Sequence, residues 1–399
     1  MVKRILFVDD ESKILDGLQR MLHADRKRWD MHFAVGGEAA LKACEAASFD
    51  VVVSDMRMPG MDGATLLGHI RDRFPATARI VLSGYSEVTL AMRSVHVAHR
   101  FLAKPCNAAE LRSTIECVCT LQDVLCGPQI REVIGSVGTL PSLSSTYTAL
   151  TEALRQPDTS INQVARILEK DVAMSAKVLQ LVNSAFFGLT QTVTDLHSAA
   201  AYLGMETVKN LALTSEAFRV FVPDARIPQS VIEGIQQQAQ ASAAIAVVLP
   251  VDTKIRDQVI LAALLQDVGR LVIAKKLPDK FCAVLERSRE CGCESFKAEE
   301  EILGTSHAEI GAYLLGLWGL PHLAVEAVAH HHQPTRIPHP TFDCSLALYT
   351  AGLLAYELRA HPGDETGSEL REFDRDCLES LGLMPRFAQF RKLALESQS

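Results

Sequence analysis

Four apolar runs of strand length mark the first hundred residues, and each ends in polar chemistry. Ile5-Leu6-Phe7-Val8 leads into Asp9-Asp10, and Val51-Val52-Val53-Ser54 into Asp55. Ile80-Val81-Leu82 leads into Ser83-Gly84, and Phe101-Leu102-Ala103 into Lys104-Pro105. Continuous apolar runs suit strands of a parallel sheet covered on both faces. Ligands of such sheets bind beyond the carboxyl ends of the strands. Asp9, Asp10, Asp55, Ser83 and Lys104 are therefore expected at one small site. The strand–helix alternation stops after a helix over 107–125, which Cys126-Gly127-Pro128 breaks. From about 140 to 357 the periodicity is helical with no convincing strand, which predicts a separate all-α domain. Ser160-Ile161-Asn162-Gln163 reads as a capping box that opens a helix. Pro362 to Ser368 is turn chemistry, and the tail beyond it carries Leu370, Phe373, Leu378, Leu381, Phe387, Phe390 and Leu393 on an apolar helical face. The expected organisation is 1–122, a linker or helix extension over 123–139, an all-α domain over 140–360 and a helical tail over 361–399.

Length and charge narrow the functional classes. A chain of 399 residues with 48% hydrophobic content accommodates two or three compact units. The net charge of −8 is spread among interspersed acids and bases, so it leaves no electrostatic footprint for nucleic acid. No apolar stretch of membrane-spanning length is present, and no apolar signal core precedes the first strand. The ten cysteines are scattered, and the close pairs Cys117/Cys119 and Cys291/Cys293 lack zinc spacing. Free thiols in a reducing cytoplasm are the expectation.

Three carboxylates in one site repel one another unless a cation lies between them, and hard oxygen ligands select Mg²⁺. A carboxylate can also act as a nucleophile and become an aspartyl phosphate. Lys104 offers a point charge and Ser83 a hydroxyl for phosphoryl oxygens. With Asp9-Asp10-Glu11, the stretch from Asp55 to Gly63, Ser83-Gly84-Tyr85 and Lys104-Pro105, residues 1–122 resemble the receiver domain of bacterial two-component response regulators. The resemblance implies a flavodoxin-like α/β doubly wound fold with five parallel strands. It makes Asp55 the phosphoacceptor, and it places Mg²⁺ on Asp9, Asp10, Asp55 and the Arg57 carbonyl. Ser83 and Lys104 would bind the phosphoryl group, and Phe101 would be the switch aromatic.

A second set of phrases lies in the helical region. It comprises Leu179 to Gly188, Ala200-Ala201-Tyr202-Leu203-Gly204, Leu264 to Arg270, His307 to Ala312 and Ala329 to Pro334. Together they resemble the HDOD domain, a degenerate relative of the metal-dependent HD and HD-GYP phosphohydrolases. In the catalytic relatives, histidines and a His-Asp pair hold metals that activate water. Here the expected ligand positions are Gln238, Gln266 and Gly352, which are poor ligands or none. Asp267, His307, His330 and His331 remain, and Arg270 stands where relatives often keep a lysine. Adjacent helical residues point about 100° apart, so at most one or two of His330, His331 and His332 can share a pocket with His307.

The expectation is a cytoplasmic response regulator and not an enzyme. A sensor histidine kinase or phosphotransfer protein would phosphorylate Asp55. The modification would control a non-catalytic HDOD output domain that binds an unknown protein or small ligand. Mg²⁺ is expected at the receiver and no metal in the HDOD domain. Homodimerisation is open, and neither nucleic acid nor membrane is an expected partner. The alternative is a phosphorylation-controlled, metal-dependent phosphohydrolase acting on cyclic dinucleotides.

Overall fold

The computed structural model describes residues 2–84, 97–124, 128–137, 144–153, 156, 159–183, 192–204, 226–339, 341–360 and 372–396. The first unit is an α/β layer structure. Strands β1 (Lys3–Asp9), β2 (Trp29–Val35), β3 (Val51–Asp55), β4 (Ala78–Gly84) and β5 (Arg100–Lys104) form one parallel sheet in the order β2-β1-β3-β4-β5. Helices α1 (Ser12–Met21), α2 (Gly37–Ala46), α3 (Gly63–Arg73) and α4 (Ala108–Val124) accompany it. This is the expected flavodoxin-like arrangement. The central strands are apolar on both faces, and Ile5, Phe7, Val51, Val52, Ile80 and Val81 are fully buried. The register pairs Val8 with Ser54, Asp55 with Leu82 and Gly84 with Lys104, so the polar strand ends line up along one edge.

Everything beyond α4 is helical or irregular among the described residues. Helix α5 (Pro128–Gly135) follows, then α6 (Ser144–Ala153), α7 (Ile161–Leu168), α8 (Val172–Val182) and α9 (196–204). The expected capping box opens α7, with Ser160 and Gln163 bonding reciprocally. A second group contains α10 (Gln229–Val248), α11 (Thr253–Leu265), α12 (Val268–Lys276), α13 (Pro278–Cys291) and α14 (Ser295–Leu303). Helices α15 (His307–Leu317), α16 (His322–His330) and α17 (Cys344–Ala360) complete it. The tail helices α18 (Glu372–Ser380) and α19 (Met384–Glu396) dock on this group. Phe390 stacks on Phe342 at 5.1 Å, and Arg391 pairs with Glu357 at 3.2 Å. No helix among the described residues is long and apolar enough to cross a membrane.

The sheet and the helical group meet at the sheet edge opposite the aligned polar ends. Arg79, at the start of β4, is buried and donates to the carbonyls of Thr77, Val97 and Gly135. Burial, the largest influence, pulls its pKa down to about 9. Lys276 donates to the Ser136 carbonyl at 2.8 Å, so α12 holds the segment that follows α5. At the start of β5, Arg100 donates to the carbonyls of Gly316 and Leu317 at the end of α15.

Candidate functional site

Asp9, Asp55 and Lys104 meet at the carboxyl edge of the sheet because β1, β3 and β5 end there. The Lys104 ammonium donates to Asp9 Oδ2 at 2.9 Å and to Asp55 Oδ1. The second Asp55 oxygen accepts from the Arg57 backbone N–H at 2.7 Å, and Asp9 Oδ1 accepts from Glu11 N–H at 2.9 Å. Burial raises the Asp55 pKa, Lys104 pulls it back, and the Asp9 charge raises it again. For Lys104, burial works against the ammonium, but its bonds to Asp55 and Asp9 prevail and its pKa is raised. The charge balance is tight, and it holds the nucleophile oxygens in fixed directions.

The loop after Asp55 depends on a glycine. A Cβ at Gly63 would lie 2.1 Å from the Asp55 carbonyl oxygen. Gly63 N–H instead donates to the Met56 carbonyl at 2.9 Å, and Asp62 caps α3 by accepting from Thr65 N–H at 2.7 Å. Asp10 is half-exposed, and its carboxylate makes no hydrogen bond or ion pair among the described residues. A free carboxylate next to two carboxylates held by one lysine fits a divalent cation with oxygen ligands. Phe101 is buried in the sheet core, opposite Val81. Ser83 lies in β4 opposite Ala103, and its side chain falls outside the described residues.

A second polar centre lies in the helical domain, around a cavity of about 400 Å³. Gln238, Gln266, Asp267, Arg270, His307, His331 and His332 are among its lining residues. Its polar groups fall into two sets. In one, Gln266 Nε2 donates to Ser242 Oγ at 2.8 Å, and Gln238 Nε2 donates to the Gly352 carbonyl at 3.0 Å. The amides at the expected ligand positions are thus tied to protein partners. In the other set, His307 Nδ1 lies 2.6 Å from Glu299 Oε2, and His307 Nε2 lies 3.0 Å from His332 Nε2. Asp267 Oδ1 is 3.4 Å from His307 Nε2. Asp267 and His307 meet because α12 and α15 touch backbone to backbone: a Cβ at Gly269 would lie 2.0 Å from the His307 carbonyl oxygen.

The histidine assignment requires one change. His331 and His332 line the cavity, and His330 does not. His330 is the last residue of α16, whereas 331 and 332 form the turn that carries the chain past α15. Burial, followed by the neighbouring His307, lowers the His331 pKa to about 4. Sequence reasoning also missed Glu299, the buried partner of His307, although Ser306-x-x-Glu309 forms a capping box that marks the start of α15. The expectation of free thiols fails at Cys291 and Cys293, which form a disulfide. Gly292 between them adopts a left-handed conformation (φ 61°), which turns the chain back on itself and brings the two Cα atoms to 5.2 Å. In the phrase that begins at Leu179, Asn183 pairs its amide with the backbone of Val193 through two 2.7 Å bonds. Residues 184–188 lie outside the described residues.

Residues 5–116 match the response regulator receiver domain family, and residues 140–334 match the HDOD domain family. The chain is a response regulator with an HDOD domain. Its receiver is similar to the signal receiver domain of an HD domain-containing protein from Pseudomonas fluorescens Pf-5. Identity there is 31%, over 31% of this chain and 100% of that one, with a TM-score of 0.30. The MmoQ response regulator from Methylococcus capsulatus is 21% identical and covers 63% of this chain and 98% of that one, with a TM-score of 0.48. An uncharacterised protein of Treponema pallidum is 27% identical over 232 residues, which are 56% of this chain and 43% of that protein. The chain spans less than two thirds of the curated relatives it matches.

Proposed function

We propose that phosphorylation of Asp55 by a sensor histidine kinase or phosphotransfer protein controls the HDOD domain, which acts by binding and not by hydrolysis. An Asp55 carboxylate oxygen attacks the phosphorus of a phosphohistidine. The O–P bond forms, the P–N bond breaks, and the leaving imidazole takes up a proton. Lys104 and the Arg57 N–H fix the direction of the carboxylate. When bound, Mg²⁺ on Asp9, Asp10, Asp55 and the Arg57 carbonyl would neutralise charge on the oxygens around the transferred group. Phosphorylation places negative oxygens in the path between Lys104 and Asp55, so the lysine must exchange its carboxylate partner for the phosphoryl group.

The observation that carries the control is physical continuity. Strand β5 begins at Arg100 and ends at Lys104. Arg100 holds the carboxyl end of α15 through Gly316 and Leu317, and the other end of α15 carries His307 into the cavity. A strand and a helix, each internally hydrogen-bonded, thus join the phosphoacceptor to the cavity. Coupling of this kind requires two states that phosphorylation biases unequally. The occupied hydrogen-bonding groups of Gln238 and Gln266 support a binding role. Hydrogen exchange with and without beryllofluoride and Mg²⁺ tests the reading. Protection is expected to change in β5 and at both ends of α15. A response confined to the receiver would overturn the proposed control of the HDOD domain.

A further inference from the structure

The expectation of a metal-free helical domain rests on Gln238, Gln266 and Gly352, which belong to one set of cavity groups. The histidines belong to the other set. One ring nitrogen from each of His307, His331 and His332 lies within 4.8 Å of the others. From this set we infer that the HDOD domain binds one divalent transition-metal ion of the zinc type, held by the Nε2 atoms of His307, His331 and His332, with Asp267 at its side. This inference is independent of how Asp55 acts.

Three observations carry it. First, the two buried rings are set for ligation. His307 turns Nδ1 to Glu299 at 2.6 Å, and His331 turns Nδ1 to the Val328 carbonyl at 2.7 Å. A ring that donates from Nδ1 presents an unprotonated Nε2, and metal-binding histidines almost always bond their far nitrogen to a carboxylate or carbonyl in this way. Second, the spacing fits. Ligand atoms about 2.0–2.2 Å from a tetrahedral metal lie roughly 3.3 Å from one another. The His307–His332 separation is 3.0 Å between Nε2 atoms, and His307 Nε2 to Asp267 Oδ1 is 3.4 Å. The longest spacing closes when the His332 ring swings inward; its side chain is 27% exposed and stacks on Phe296. Third, Glu299 is a buried carboxylate whose Oε1 has no hydrogen-bond partner among the described residues. A buried carboxylate requires a compensating positive charge. An ion across the His307 ring supplies one without moving Glu299.

Imidazole with carboxylate suits Zn²⁺, Ni²⁺ or Fe²⁺ better than Mg²⁺, so the receiver and the HDOD domain select different ions. Ions enter from the cavity, and a remaining coordination position faces Arg270 and the open volume.

The test uses the full chain, stripped with a chelator and resupplied with Mg²⁺ for the receiver. Titration with Co²⁺ is followed by its visible absorption and by calorimetry, and Zn²⁺ is then used to displace it. One ion per chain is expected, with the absorption of a four- or five-coordinate nitrogen site. His332→Ala is expected to weaken binding by more than 100-fold, and Glu299→Gln by about 10–100-fold. Asp10→Asn is expected to leave binding unchanged. Circular dichroism and thermal melting establish that each variant is folded. His332 is partly exposed, so its truncation tests the ligand role even where a change at His307 prevents folding. Absence of the Co²⁺ band in the parent chain, or a band that survives in folded His332→Ala and vanishes in Asp10→Asn, would overturn the inference.

Discussion

Arg100 Nη2 donates to the Gly316 carbonyl at 2.7 Å, across 216 positions of sequence. Its Nε donates to the next carbonyl, that of Leu317, at 3.2 Å. The last carbonyls of a helix have no partner within the helix and carry partial negative charge. A guanidinium presents two donors in a fixed fork, so it can hold both carbonyls at once. Receiver and HDOD domain are therefore joined by a group whose other attachment is the strand that ends at Lys104.

Arg100→Ala is expected to leave Asp55 phosphorylation by a small phosphodonor unchanged and to abolish the exchange response of α15 to beryllofluoride. Two charge-assisted bonds are lost at a partly solvated position, so the stability cost is expected to be about 1–2 kcal/mol by urea unfolding. Arg100→Lys is expected to restore less than half of the response, because one ammonium cannot reproduce the fork. A full α15 response in folded Arg100→Ala would show that the signal takes another route.

Gly63→Ala forces a methyl group against the Asp55 carbonyl, where only 2.1 Å is free. The backbone of the phosphoacceptor loop must shift, at an expected cost of about 1–3 kcal/mol. The Asp55 carboxylate shifts with it, so incorporation from a small phosphodonor is expected to fall at least tenfold. Phosphorylation kinetics of the folded variant decide this. Unchanged rates would mean that the loop yields without moving the carboxylate.

Asp55→Asn retains size and burial but removes the nucleophile. Mass spectrometry after treatment with a small phosphodonor and Mg²⁺ is expected to find one phosphoryl group on the parent chain and none on the variant. Asp10→Asn is expected to keep the site folded and to raise the Mg²⁺ concentration required. Undiminished incorporation in Asp55→Asn would remove the assigned role.

The sheet was legible because its central strands are buried on both faces, and unbroken apolar runs are the direct consequence. Strand β2 is different. At the sheet edge, Trp29-Asp30-Met31-His32 mixes polar and apolar positions, and Asp30 and Val35 are exposed. The strand is therefore absent from a reading based on apolar runs alone. The helical domain was legible as helical, but its cavity only in part. His330, His331 and His332 are equivalent in sequence, and only the end of α16 determines which two turn inward. Glu299 and Arg100 carry no local signal, because their roles depend on partners brought near by tertiary packing. The Cys291–Cys293 disulfide escaped notice because a spacing unsuited to zinc was taken as a sign of free thiols, whereas a left-handed glycine between the cysteines permits the bond.

Lys177 provides a test by pH at the domain junction. Its side chain is buried, with Nζ 4.4 Å above the Trp318 ring and 3.0 Å from Gln180 Oε1, and Gln180 in turn donates to the Ala98 carbonyl at 3.4 Å. Burial, with added repulsion from Lys275 and Arg79, lowers the Lys177 pKa to about 7. In the unfolded chain the amine holds its proton to roughly pH 10. Between these values the unfolded state binds more protons than the folded state, so stability rises with pH. The clean window is pH 7 to 8.5, below the range in which unfolded cysteines lose their protons. There the contribution from Lys177 is expected to approach about 1 kcal/mol per pH unit. Lys177→Met retains the apolar stem over Trp318 and removes the titrating group. It is expected to raise stability most at pH 7 and to flatten the pH slope of the urea midpoint. Equal slopes for parent and variant across this window would mean that Lys177 keeps its proton on folding, through an accommodation other than the loss of charge argued here.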